Sequence, residues 1–137
     1  MNFFLTFYHT LRFWVVIIIL SIILGTIATV LGIFDKSGNQ SHKVAALWSK
    51  LICRWNGIKV EITGAENILL DQPQIFIANH QGYYDIFALA GYLGVQLRWV
   101  SKSVLFRIPF MGWAMSAAGY IPVERTNRKQ SYQAFLS

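Results

Sequence analysis

At 137 residues the chain is long enough to bury one core and too short for two comfortable domains. Its formal charge of +6 is unevenly spread: beyond Asp85, six cations (Arg98, Lys102, Arg107, Arg125, Arg128 and Lys129) stand against the single carboxylate of Glu124, and an anionic partner is expected there. No nucleic-acid motif is present, so an anionic membrane surface or a phosphorylated small molecule fits better than nucleic acid; a solvated basic face is the plainer alternative.

Residues 13–34 run for about 22 positions without a charge, and as a helix rising ~1.5 Å per residue they would reach ~33 Å, enough for a ~30 Å hydrocarbon core. The run is longer than the apolar region of a secretory signal and no small-residue cleavage site follows it, so an anchor is expected rather than a cleaved leader. Arg12 precedes the run, whereas Lys36, Lys43, Lys50 and Arg54 follow it; the positive-inside rule then puts the next domain on the cytoplasmic side of a membrane. A helix lying in the interface without crossing is the alternative, and Phe3, Phe4, Leu5 and Phe7 suit an interface equally. Residues 1–40 divide off as membrane anchor and polar linker, and residues 41–137 as the domain that follows.

Ser41 can cap a helix on which Val44, Leu47, Trp48, Leu51, Ile52 and Trp55 recur at helical spacing while Lys43, Lys50 and Arg54 face elsewhere, with Gly57 ending it. The apolar face either meets the headgroup layer or packs on the core. Alternation at 58–62 predicts a half-exposed strand, the apolar run at 74–78 a buried strand, 85–92 a helix, and 97–100 a strand. Residues 104–118 are expected to be at least partly helical around Pro109 and Gly112, and 120–123 forms a last strand. Strands alternating with helices imply an α/β sandwich behind the hydrophobic helix.

The run Asn79, His80, Gln81, Gly82, Tyr83, Tyr84, Asp85 sets an imidazole and a carboxylate five positions apart. Along a strand, five positions leave two side chains on opposite faces, and along a helix well off a shared face; a turn between them lets them meet. Gly82 suits such a turn because glycine tolerates positive φ. His80 is therefore expected in a strand-to-helix loop and Asp85 on the first turn of the helix. The carboxylate would fix the ring tautomer and leave the other nitrogen to take a proton from a substrate hydroxyl. A hydrogen-bonded structural pair is the alternative reading of the same spacing. Cys53 stands alone, which excludes a disulfide framework and a zinc pattern and makes a poor nucleophile.

In this order the pieces resemble the glycerolipid acyltransferase family, which includes 1-acylglycerol-3-phosphate (lysophosphatidic acid) acyltransferases. Its N-H-x-x-x-x-D motif is matched by Asn79, His80 and Asp85, its K-x-x-L-x-x-x-P-x-x-G stretch by Lys102, Leu105, Pro109 and Gly112, and its G-x-I-x-x-x-R stretch by Gly119, Ile121 and Arg125. The position often held by Ser in that family is Gly82 here, and a Glu-Gly-Thr-Arg segment of the family does not occur before Ser137. The chain is accordingly expected to carry a partial α/β acyltransferase domain, truncated at its C-terminus. The resemblance implies transfer of a fatty acyl group from acyl-CoA or acyl carrier protein to the sn-2 hydroxyl of 1-acylglycerol 3-phosphate, giving phosphatidic acid by direct attack. It assigns His80 and Asp85 to catalysis and Asn79, Lys102 and Arg125 to substrate binding, with no metal and no cofactor beyond the acyl donor. A relative acting on glycerol 3-phosphate or a lyso-aminolipid, or a non-catalytic lipid-binding module at a membrane surface, are the rival readings.

Overall fold

The computed structural model describes residues 3–124. Its first helix, α1 (Phe3–Phe34), extends the expected apolar run by more than two turns toward the N-terminus, since no glycine or proline interrupts that stretch. Among the described residues it is the one helix long and apolar enough to cross a membrane. Its threonines do not break the apolar surface. The hydroxyls of Thr10, Thr26 and Thr29 donate to the carbonyls of Thr6, Ile22 and Gly25 at 2.9, 2.6 and 2.7 Å, so each polar group is satisfied within the helix.

A turn at 35–38 reverses the chain into α2 (Asn39–Trp55). The cap here differs from expectation. Asp35 accepts the backbone N–H of Gln40 at 2.8 Å and of Ser37 at 3.0 Å, placing an anion at the positive end of α2. Ser41 is not the cap; its buried hydroxyl instead donates to the Ala28 carbonyl of α1 at 2.8 Å. At the other end, Gly57 (φ 70°) supplies the left-handed residue, with Ile58 N–H bonded to Cys53 O and Gly57 N–H to Arg54 O, and the helix stops as expected.

The buried face of α2 is Ser41, His42, Ser49, Ile52 and Cys53, whereas Leu47 and Trp55 of the expected apolar stripe are exposed. Close helix approach explains the difference. A Cβ added at Gly32 of α1 would stand 2.6 Å from Ala117 Cβ and 3.2 Å from Ser41 Oγ, and one at Gly25 would stand 2.8 Å from the Phe110 carbonyl. Small residues at 25, 28 and 32 let α2 and the last helix, α4 (Met111–Ala117), settle against α1, a contact that large side chains would prevent.

The apolar core joins α1, α2 and α3 (Tyr83–Tyr92): Val16, Ile52, Cys53 and Phe87 are buried, with Phe13, Trp48 and Tyr84 packed around them. After α3 come strand β1 (Val100–Lys102), a 3-10 turn (Ser103–Arg107), α4 and strand β2 (Ile121–Val123). β1 and β2 pair in parallel, Val100 opposite Ile121 and Lys102 opposite Val123, with the 3-10 turn and α4 as the crossover.

In place of the expected α/β sandwich, the described residues form a helix-rich body with a two-stranded sheet. In the segment 58–62, Ile58 and Val60 pack on the core while Lys59 and Glu61 are exposed, but the segment forms no ladder. The predicted buried strand at 74–78 is not formed, and the segment is exposed, with Ile75 at 91% and Ile77 at 93%. Apolar alternation specifies which way side chains point; a strand also needs a neighbouring backbone to take its N–H and C=O groups, and none lies beside these segments among the described residues.

Candidate active site

α3 begins where its own third residue turns back. Asp85 Oδ2 accepts the N–H groups of Gln81 at 2.6 Å and Gly82 at 2.9 Å, while Asp85 N–H donates to the Gly82 carbonyl at 3.3 Å. These bonds satisfy helix-start amides and place the anion against the helix dipole. They also hold the Asp85 carboxyl below the ordinary range, the Gly82 N–H first and the Gln81 N–H next. Gly82 has φ −163° and ψ 172°, an extended conformation open to any residue, so the turn is made by the carboxylate and not by glycine at positive φ.

The same oxygen meets His80 Nδ1 at 3.3 Å. His80 is therefore the outermost of three donors on Asp85 Oδ2, and its contact is longer than the ~2.7–2.9 Å of a tight charge-assisted bond. Donation from Nδ1 to the carboxylate leaves Nε2 with its lone pair, and the His80 side chain is 59% exposed. Aromatic rings seat this turn on α1: Tyr83 lies 6.4 Å from Phe13 and 6.3 Å from Trp14, and Tyr84 lies 5.5 Å from Phe13 between ring centroids. Buried Phe87 and Trp48, 5.2 Å apart, continue the cluster into α2.

The other expected site residues are placed less closely. Asn79 is exposed beside His80 and makes no side-chain hydrogen bond among the described residues. Lys102 is exposed at the trailing end of β1, where parallel strands commonly present ligand-binding residues. No bond joins Lys102 to the His80 turn; the nearby link is Ser103 Oγ to Glu124 Oε2 at 2.7 Å, which ties the trailing ends of the two strands. Arg125 lies outside the described residues. A cavity of about 220 Å³, lined by residues 60–63 with Ala88, Leu89 and Leu93, runs along the far half of α3 and does not include His80. Burial raises the pKa of the Cys53 thiol, which suits a packing role. Among the described residues no three His, Cys, Asp or Glu side chains gather as metal donors.

Sequence reasoning passed over two participants: the backbone N–H groups of Gln81 and Gly82, and a second histidine, His42. The imidazole of His42 is 3% exposed, its Nδ1 lies 2.8 Å from Tyr120 Oη and its Nε2 accepts the Leu97 N–H at 3.2 Å. The signal available was a run of small or polar residues, Ser41, His42 and Ser49, interrupting the apolar pattern of this helix.

An imidazole with one nitrogen braced by a carboxylate and the other open to solvent defines a site able to deprotonate a hydroxyl. The chain belongs to the acyltransferase family, whose model it matches over residues 59–136. It is 39% identical over 85 residues to a chloroplastic 1-acyl-sn-glycerol-3-phosphate acyltransferase of Arabidopsis thaliana, covering 61% of this chain and 23% of that protein. A chloroplastic enzyme of the same name from Brassica napus is 37% identical over 95 residues, 68% of this chain and 27% of its own. One from Saccharomyces cerevisiae is 36% identical over 75 residues, 55% and 24%. The chain spans about a quarter of the length of these curated relatives. No solved structure matches it.

Proposed function

We propose that the protein transfers a fatty acyl group from acyl-CoA or acyl carrier protein to the sn-2 hydroxyl of 1-acylglycerol 3-phosphate, giving phosphatidic acid. The observation that carries this reading is the His80 Nδ1 to Asp85 Oδ2 contact with the rest of the ring exposed. In this mechanism Nε2 removes the hydroxyl proton as the oxygen attacks the thioester carbonyl. Collapse of the tetrahedral adduct expels the thiolate, and the proton passes from Nε2 to sulfur. Such general-base assistance is worth about 10²–10⁴-fold. The step uses no metal or organic cofactor beyond the acyl donor. Lys102, and Arg125 beyond the described residues, would take the acceptor phosphate, and Asn79 would orient acceptor or loop.

A single-chain lysolipid partitions into the bilayer, so its headgroup is best met at the interface. Supporting that location, Ile18, Ile19, Ile22, Ile23, Ile27 and Val30 of α1 are exposed, while the opposite face is covered by α2 and α4. We place this apolar face in the membrane. Crossing by the whole docked run would drag the exposed Lys43, Lys50 and Arg54 of α2 toward hydrocarbon at a cost of several kcal/mol. Those cations instead favour the anionic cytoplasmic leaflet. The test is transfer of labelled acyl-CoA to lysophosphatidic acid by membranes holding the full-length natural protein. Activity lost in His80→Ala with membrane binding intact supports the reading, and activity retained ends it.

A further inference from the structure

The leading ends of both strands converge on one buried ring. Leu97, three residues before β1, donates its N–H to His42 Nε2 at 3.2 Å, and Tyr120, immediately before β2, brings Oη to within 2.8 Å of His42 Nδ1. The ring is thus held by the Leu97 N–H at Nε2 and by Tyr120 Oη at Nδ1, with a further hydrogen bond to the Val95 backbone in the same loop. Arg98, next along the chain, reaches the same end of α2: its Nη2 donates to the Ser37 carbonyl at 2.7 Å and to Asn39 Oδ1 at 2.8 Å. Two three-residue strands cannot hold their place alone. Here they are pinned at the leading ends by His42 and at the trailing ends by Ser103 to Glu124.

The other half of α2 carries different cargo. Ile52 and Cys53 pack on Phe87 of α3, the helix whose first turn holds His80 and Asp85. Ten residues, or ~15 Å of helix, separate His42 from Ile52. One rigid rod thus grips the Lys102-bearing sheet at one end and the His80-bearing helix at the other.

We propose that His42 is a positioning residue: by clasping Leu97 and Tyr120 to α2 it fixes the distance between the phosphate-binding end of β1 and the His80–Asp85 base. The inference rests on the reading that Lys102 meets the acceptor phosphate. Removing the clasp frees the sheet to shift along α2, while α3 keeps its own packing. Recognition of phosphate should suffer more than proton removal.

The test uses the full-length natural protein in phospholipid vesicles, with lysophosphatidic acid and the phosphate-free 1-monoacylglycerol as probes, scoring equilibrium binding and acyl transfer. His42→Ala is expected to weaken lysophosphatidic acid binding and raise its KM about tenfold, with kcat falling less and monoacylglycerol binding unchanged. His42→Gln, which keeps one donor and one acceptor, should restore the values to within about twofold, and Tyr120→Phe should fall between. Wild-type-like binding in a folded His42→Ala, equal losses for both probes, or no recovery in His42→Gln would overturn the inference. Should His42→Ala fail to fold, Tyr120→Phe decides, and unchanged discrimination between the probes overturns it. A wild-type protein that binds lysophosphatidic acid selectively yet transfers nothing overturns the enzymatic reading alone, because the binding comparison still judges the clasp. Absence of phosphate selectivity in the wild type sinks both.

Discussion

His42 and His80 each have one ring nitrogen beside an oxygen partner, and there the likeness ends. The second nitrogen of His42 is occupied by the Leu97 amide and the ring is 3% exposed; that of His80 has no partner among the described residues and the side chain is 59% exposed. A histidine with both nitrogens satisfied inside the protein is spent on structure, whereas one held by a single nitrogen retains a lone pair that a substrate can reach. Desolvation by burial, opposed by a backbone hydrogen bond to Val95 and joined by the Arg98 charge, lowers the pKa of His42 and keeps that ring neutral.

The sharpest way to break this comparison is to remove each ring in turn. His80→Ala should lower acyl transfer by about 10²–10⁴-fold with the melting temperature unchanged, because an exposed side chain contributes little packing. The His42 variants should do the reverse in kind, shifting phosphate recognition and stability before the rate of proton removal. Equal kinetic defects at the two positions would erase the distinction.

Asp85 holds the start of α3 and, in the proposed mechanism, also orients His80, so a subtle substitution is more telling than truncation. Asp85→Asn keeps an oxygen that can accept both backbone N–H groups but removes the charge that strengthens those bonds and orients His80. Transfer should fall about ten- to a hundredfold, less than on loss of the base itself, since Nε2 remains. Amide exchange at Gln81 and Gly82 should quicken in parallel. Exchange unchanged alongside lost activity would show that the carboxylate acts on the ring and not through the turn.

The third test concerns the helical frame that both histidines depend on. Gly32→Val forces a branched side chain into the space between Ala117 and Ser41, where even one added Cβ would lie 2.6 Å from Ala117 Cβ. A loss of about 1–3 kcal/mol is expected in chemical denaturation. Gly57→Ala, at a position where an added Cβ meets nothing within 4 Å but φ is 70°, serves as control for backbone strain without crowding.

His80 and Asp85 were legible in the sequence because their spacing has few solutions: a turn, with the acid at a helix start, brings them together. α1 and α3 were equally plain, one by its uninterrupted apolar run and the other by the acid that opens it. The packing face of α2 was not. Apolar periodicity marks Leu47 and Trp55, both exposed, because the packing of α2 is set by how near backbones approach, and Ser41 beside Gly32 of α1 and Ser49 beside Gly91 of α3 carry that information by being small. The strands at 58–62 and 74–78 were read from side-chain alternation, which is silent on whether a partner backbone stands alongside. Lys102 was placed at a strand end only by the parallel pairing with β2, a contact across the intervening crossover that no local pattern announces. His42 went unread because its partners, Leu97 and Tyr120, are far along the chain.

The smallest expected effect separates the two sites by acid. Because the folded-state pKa of His42 lies below its ordinary 6.5, the unfolded chain binds more protons than the folded one in the interval between the two values. The clasp therefore contributes fully above about pH 6.5 and is lost as pH falls from there through the lowered folded value, since protonated Nε2 can no longer accept the Leu97 amide. Asp85 shifts the same way from 3.8, so its turn stays ionised and intact throughout that interval and fails only at more acid pH. Melting temperatures measured from pH 7.5 to 5 should fall in the wild type and fall less in His42→Gln, which cannot titrate. Amide protection at Leu97 should decline over the same range while protection at Gly82 holds. If Gly82 loses protection first, the exposed turn and not the buried clasp is the acid-labile element, and the contrast drawn between the two histidines is inverted.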